Sequence, residues 1–296
     1  MTRKTADDFH PEVLKLFDLY VHGLCSRRGF LREAAKYTAS SVAACALLDS
    51  LAPNFAQAQQ ITPDDKRLRA EYVEFPSPNG NGKIRGYLVK PAKAKGKLPS
   101  VLVVHENRGL NPHIEDITRR LALDNFIAFA PDALFTLGGY PGDEDKAREL
   151  FQKLDQNKTL EDFVTAADIL KKLPGGNGKV GVVGFCYGGG ISNSLAVRIP
   201  TLNAAVPFYG KQPEEADVAK IKAPLLIHYA GTDERINAGW PKYESALKAA
   251  HVRYEAFIYP NVQHGFNNDT TPRYDAAAAK LAWERTVSFF KKHLHA

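Results

Sequence analysis

Val180-Gly181-Val182-Val183-Gly184-Phe185-Cys186-Tyr187-Gly188-Gly189-Gly190 decides how this chain is read. Val180 to Phe185 is a largely apolar run of the kind found in a strand covered on both faces. It leads into Gly184-Phe185-Cys186-Tyr187-Gly188, the G-x-nucleophile-x-G spacing of a strand–turn–helix elbow, with cysteine at its centre. The turn is so tight that flanking side chains would collide, which explains the glycines, and it lifts the central side chain clear of the sheet. A helix N-terminus behind Cys186 favours negative charge and lowers a thiol's pKa. A buried cysteine in a glycine-rich turn would share this local pattern, so the rest of the chain has to decide.

Outward from the elbow, strand-like and helix-like segments take turns. Residues 71–75 and 83–89 read as a hairpin around Asn79-Gly80-Asn81-Gly82. Strands are expected at 101–105, 126–130, 180–185, 204–209, 224–229 and 254–259. Helices are expected near 114–123, 143–155, 160–172, 190–198, 241–250 and 274–293. This alternation predicts an α/β fold: a mostly parallel central sheet with helices on both faces and an antiparallel hairpin at its leading edge.

Two further residues fall into order with Cys186. Asp233, in Ala230-Gly231-Thr232-Asp233, follows the strand at 224–229; His264, in Gln263-His264-Gly265-Phe266, follows the strand at 254–259. Nucleophile, acid, histidine is the chain order of α/β-hydrolases, each residue after a strand's carboxyl end, where ligands of parallel sheets gather. His264 would take and return a proton while Asp233 fixed its tautomer. The loop His105-Glu106-Asn107-Arg108-Gly109 ends the strand at 101–105, which nominates the backbone N–H groups of Asn107 and Tyr187 as an oxyanion hole. Among the competitors, His105 and His228 sit within or at the end of strands and read as packed. His113 and His251 are the other competing histidines, and Asp132, which also ends a strand, precedes the elbow and breaks the order.

The first fifty-eight residues read differently. Arg27-Arg28 precede Phe30 and Leu31, a moderately apolar stretch runs from Ala39 to Leu51, and Ala56-Gln57-Ala58 offers small residues at −3 and −1 of a cut. That order predicts an export signal of the twin-arginine (Tat) type, recognised by the Tat machinery and cleaved after Ala58, with a periplasmic product. About twenty-five residues precede the arginine pair, long for a signal's leading region, so either residues 9–24 form a helix with a role of their own or the true start codon lies further in. Residues 59–296 then form a single domain whose one cysteine is Cys186, which excludes an internal disulfide there.

Composition agrees with an enzyme of ordinary globular type. The 296 residues are 44% hydrophobic and 24% charged, which excludes disorder, and 22 glycines and 3 cysteines exclude collagen and a disulfide scaffold. The net charge of +6 is scattered along the chain, which argues against nucleic acid as a partner.

Taken together, Gly-Phe-Cys-Tyr-Gly-Gly-Gly (184–190), Glu106 after the third strand, Asp233 and His264-Gly265-Phe266 resemble the dienelactone hydrolase (carboxymethylenebutenolidase) family of the α/β-hydrolase superfamily. The resemblance spans about 70–296. It implies Cys186 as nucleophile, His264 as base, Asp233 as its orienter and Glu106 engaging the resting thiol until substrate displaces it. It also implies an acyl-thioenzyme intermediate, a small ester or lactone substrate, and no metal or organic cofactor. Family members acting on dienelactone hold its carboxylate with arginines after the strand-four Pro-Asp and after the catalytic histidine. Neither 131–137 nor 264–268 carries one. Arg108 is therefore the candidate substitute, Arg273 a weaker one, and Phe266 is expected to line the substrate site. Two other functions fit the same residues: a general acyl esterase acting on neutral esters, and a non-catalytic redox-sensing thiol.

Overall fold

A computed structural model describes residues 4–38 and 40–295. Four helices come first: α1 (Pro11–Val21), α2 (Arg27–Ala34), α3 (Ser41–Leu51) and α4 (Phe55–Ala58). Side-chain caps start each of them, His10 for α1, Ser26 for α2, Ser40 for α3 and Asn54 for α4, satisfying first-turn N–H groups. The apolar faces of α1, α2 and α3 meet in a core of their own, in which Phe9, Val13, Leu14, Phe17, Tyr20, Phe30, Leu48 and Leu51 are buried. The segment expected as an export signal is thus folded here, with the expected helix inside 9–24 realised as α1. Ala39, the first residue of the expected apolar stretch, lies outside the described residues. Among the described residues no helix is long and apolar enough to cross a membrane.

The remainder forms β1 (Leu68–Ser77), β2 (Gly82–Pro91), β3 (Leu98–Val104), α5 (Pro112–Leu123), β4 (Ile127–Pro131), α6 (Glu144–Phe151), α7 (Gln156–Lys172) and β5 (Gly176–Phe185). Then follow α8 (Tyr187–Arg198), β6 (Ala204–Phe208), β7 (Leu225–Ala230), α9 (Glu234–Asn237), α10 (Trp240–Ala249), β8 (Tyr254–Tyr259) and α11 (Ala276–Leu294). One eight-stranded sheet has the order β1-β2-β4-β3-β5-β6-β7-β8. β1 and β2 pair antiparallel, β2 meets β4 antiparallel, and every pairing from β4 to β8 is parallel. The hairpin turn is pinned by Asp162 of α7, whose carboxylate accepts the Asn81 N–H at 3.0 Å and the Asn81 Nδ2 at 2.6 Å.

Alternation within the buried strands builds two cores, one on each face. Val101 and Val103 point to the side covered by α5 and α11; Leu102 and Val104 point to the side covered by α7, α8 and α10. Every residue of β3 is buried, which is why its sequence reads as a continuous apolar run rather than an alternating one. The observed elements match the expected α/β fold, with boundaries moved by a few residues. At the elbow α8 begins at Tyr187, directly after Cys186, instead of at Gly190, and four-residue shifts fall at the end of α6 and the starts of α7 and β5.

Candidate active site

Cys186 stands between β5 and α8 with φ 56° and ψ −112°, a conformation that a non-glycine residue adopts only under constraint. The constraint is close packing of main chain. A Cβ on Gly184 would lie 2.0 Å from the carbonyl oxygen of Gly188, and one on Gly188 would lie 2.3 Å from that of Val104. The Cys186 N–H donates to the Phe208 carbonyl at 3.0 Å, tying the elbow to β6.

Asp233 and His264 arrive from the carboxyl ends of β7 and β8, as expected. Oδ2 of Asp233 lies 2.5 Å from Nδ1 of His264, and both side chains are buried. The His264 ring packs against Tyr209 at 4.9 Å, and its Nε2 has no hydrogen-bond partner among the described residues. A ring nitrogen of His264, Sγ of Cys186 and a ring nitrogen of His22 all lie within 4.8 Å of one another. These three could hold a soft divalent cation, since thiolate and imidazole suit zinc and one coordination position would stay open.

His22, the C-cap residue of α1, is the residue that sequence reasoning missed. Its Nε2 is 3.3 Å from Sγ of Cys186, and its Nδ1 is 2.7 Å from the Asp18 carbonyl and 3.3 Å from the Asp18 carboxylate. Glu106, implied as the thiol's resting partner, lines the same cavity but accepts a hydrogen bond from Asn268 Nδ2 at 2.8 Å. The side chain at hydrogen-bond distance from Sγ is His22 instead. The only local signal for this residue was the expected helix in 9–24, which ends beside it.

The charges act on the thiol in opposite directions. Burial pushes the Cys186 pKa up, but the imidazoles of His264 and His22 outweigh it and bring it down to about 6. Burial opposes the protonated form of His264, yet the sulfur charge and Asp233 raise its pKa to about 10. For His22, burial again works downward and is overcome by Cys186 and Asp18, which raise it. Asp18 is held well below the usual carboxylate range: burial works upward but is outweighed by His22, His264 and Arg273.

A cavity of about 290 Å³ opens at Cys186, walled on one side by α1, α2 and α3 and on the other by the loops after β3 and β8. Asn107 and Arg108 reach it, but both are engaged. Asn107 Nδ2 donates to the Val21 carbonyl at 2.8 Å. Arg108 donates to the same carbonyl at 3.1 Å, and its Nε is 3.4 Å from Glu144 Oε2. Arg273 is also at the cavity, 3.3 Å from Asp18. Arg27, read from the sequence as half of an export motif, lines the cavity and pairs with Asp145 at 3.1 Å. Tyr187 supplies the first amide of α8, with no carbonyl one turn back inside that helix to receive its N–H.

Phe266 does not line the cavity, which corrects the expectation for it. It is fully buried among Tyr209, Tyr259 and Phe208, where it supports the loop carrying His264. The competing residues are structural. His105 Nε2 accepts the Ala133 N–H, and His228 lies between Tyr259 and Thr286 with its pKa lowered by burial to about 3. His113 pairs with Asp269, His251 is exposed in the turn after α10, and Asp132 ties the Leu110 and Leu134 N–H groups.

The family model described as "Dienelactone hydrolase family" matches residues 84–294, and one described as "YqhI-like" matches residues 1–36. An Escherichia coli K12 protein named "Putative hydrolase fragment YghX" is 60% identical over 112 residues, 38% of this chain and 96% of its own length. A second K12 protein, "Putative carboxymethylenebutenolidase", is 34% identical over 247 residues, covering 78% of this chain and 90% of that one. A crystal structure titled as a "Putative Dienelactone Hydrolase" from Klebsiella pneumoniae superposes with a TM-score of 0.67 at 30% identity. It covers 76% of this chain and 99% of the other.

Proposed function

This chain belongs to the dienelactone hydrolase family and is a hydrolase of ester or lactone substrates, and from that premise we propose that Cys186 does the chemistry through an acyl-thioenzyme. One observation carries the reading: the buried Asp233–His264 pair stands beside an elbow thiol whose pKa is lowered to about 6. The thiolate attacks the carbonyl carbon, and the N–H groups of Asn107 and Tyr187 receive the charge that develops on oxygen. His264, protonated and held by Asp233, gives its proton to the departing alkoxide. It then takes a proton from water as that water attacks the thioester, and the thiolate leaves.

The substrate is a small ester or lactone that fits the cavity of about 290 Å³. A substrate carboxylate at Arg108 would have to compete with Glu144, the partner already beside that guanidinium, so turnover of neutral esters is expected to be the stronger activity. The experiment is hydrolysis of dienelactone and of a neutral nitrophenyl ester by the full chain, with Cys186→Ala alongside. Turnover by the wild type and its loss in the variant support the reading; turnover that survives the substitution overturns it.

Location is a separate proposal. Arg27-Arg28 before Phe30 and Leu31 supports export by the twin-arginine route. Replacing both arginines with lysine should empty the periplasmic fraction of the protein; an unchanged distribution defeats the proposal.

A further inference from the structure

The N-terminal helices are joined to the hydrolase body at its most reactive point. α1 ends at Val21, and the carbonyls of Asp18, Leu19 and Tyr20 in its last turn accept the N–H groups of His22, Leu24 and Gly23. The body adds donors: Arg148 donates to the Tyr20 carbonyl at 3.0 Å, and Asn107 and Arg108 donate to that of Val21. Guanidinium groups at a helix C-terminus also complement its dipole. Around this contact, Asp18 faces Arg273, Arg27 pairs with Asp145, and the Asn54 N–H donates to the Thr270 carbonyl at 2.8 Å. Beyond α4, Asp116 accepts the N–H groups of Gln60 at 3.1 Å and Ile61 at 2.8 Å, and Ala58 is buried. The chain after Ala58 is thus anchored to the body at Gln60 and Ile61, with Gln59 and Gln60 themselves exposed.

This docking holds His22 in an arrangement that repeats the one at His264. Each imidazole has Nδ1 facing an aspartate, Asp18 or Asp233, and each brings a ring nitrogen close to Sγ of Cys186, Nε2 at 3.3 Å in the case of His22. The two rings meet edge-on, with centroids 4.7 Å apart. Arg235 adds the deciding detail, because its guanidinium nitrogen lies 3.0 Å from Nε2 of His22. A guanidinium can only donate, and with Nδ1 2.7 Å from the Asp18 carbonyl the contact suits a ring whose Nε2 carries a lone pair and can accept a proton. The charged and titratable groups facing His22 are thus Asp18, Cys186, His264 and Arg235.

We propose that His22 is a catalytic residue of this hydrolase, the base that ionises Cys186, and that the N-terminal helices are a retained part of the active site. The assignment rests on the reading of Cys186 as nucleophile. The proton leaves Sγ for Nε2 of His22, and the sulfur electron pair forms the C–S bond while the carbonyl π pair moves to oxygen. When the tetrahedral adduct collapses, the C–O bond breaks and the alkoxide takes the proton held by His264. In deacylation, His264 accepts a proton from water, the resulting hydroxide forms the new C–O bond, the C–S bond breaks, and sulfur recovers its proton from His22. Two histidines thereby divide the work, one serving the nucleophile and one the leaving group.

The test measures the pH dependence of Cys186 alkylation by iodoacetamide in the full chain, read by mass spectrometry on the peptide containing Cys186. In His22→Gln the midpoint should rise by about one pH unit, since one of the two imidazoles facing the sulfur is gone. Near neutral pH, kcat on the nitrophenyl ester should fall by about tenfold or more while KM changes little. Asp18→Asn keeps the imidazole and loosens its anchor, so it should shift the midpoint the same way by less; it carries the test should His22→Gln fail to fold. A superimposable alkylation profile with unchanged kcat overturns the assignment, as does full activity in protein isolated from its host that begins after Ala58. Alkylation needs no turnover, so a failure of the hydrolase reading would be seen separately, in the wild-type ester assay.

Discussion

The carboxylate of Asp233 serves two structures at once: Oδ2 lies 2.5 Å from Nδ1 of His264, and Oδ1 accepts the Ile236 N–H at 3.2 Å to cap α9. The ligand role and the capping role sit on different oxygens, so substitution can separate them.

Asp233→Asn keeps an oxygen for the cap but presents the wrong partner to His264. Its kcat should fall by about 10³–10⁴-fold with a melting temperature close to wild type. Asp233→Ala should lose a similar share of activity and, in addition, about 1 kcal/mol of stability from the missing cap. Parallel ester assays and thermal melts decide it; an active Asn variant would remove Asp233 from the mechanism.

On the proposed mechanism the rate should follow two ionisations. Cys186, brought down to about 6, must lose its proton to attack, so kcat/KM rises as pH passes through about 6. His264, raised to about 10, must hold its proton to serve the leaving group, so the rate falls again as pH passes through about 10. Thiolate absorbance near 240 nm, compared with Cys186→Ser, should titrate with the lower limb. A midpoint near the ordinary thiol value, roughly 8.5, would contradict the arrangement of charges around the sulfur.

Zinc should inhibit. Sγ of Cys186 and nitrogens of His22 and His264 lie within 4.8 Å of one another, and the aspartates behind both rings orient them as outer-shell carboxylates orient metal-bound histidines. Added Zn²⁺ should abolish ester turnover and block alkylation of Cys186, a chelator should restore both, and His22→Gln should need more zinc for the same effect. Equal sensitivity in the variant would place inhibition elsewhere.

Much of the hydrolase body was legible because its signals are local. Val101 to Val104 reads as a buried strand since both faces of β3 are covered, and the glycines around Cys186 are required by main-chain approaches of a few ångströms. Asp233 and His264 could be chosen over Asp132 and His228 because each follows a strand end in the right order. Phe266 misled for the opposite reason. Adjacency in sequence to His264 says nothing about direction, and its ring turned inward to the core beneath the loop.

Residues 1–58 show the limit most clearly. Arg27-Arg28, an apolar stretch and a small-residue site describe an export signal as local pattern, while the described residues of this segment form capped helices, three of which share a buried core. From the sequence by itself come the α/β alternation, the elbow around Cys186 and the order in which Asp233 and His264 follow it, all set by local backbone geometry and strand position. The tertiary structure alone decided that His22 touches Cys186 across 164 residues of chain, that Arg108 is occupied by Glu144 and Val21, and that Arg27 faces the cavity. Those contacts arise from docking one folded unit on another, and docking depends on the complementarity of assembled surfaces, which no local periodicity encodes.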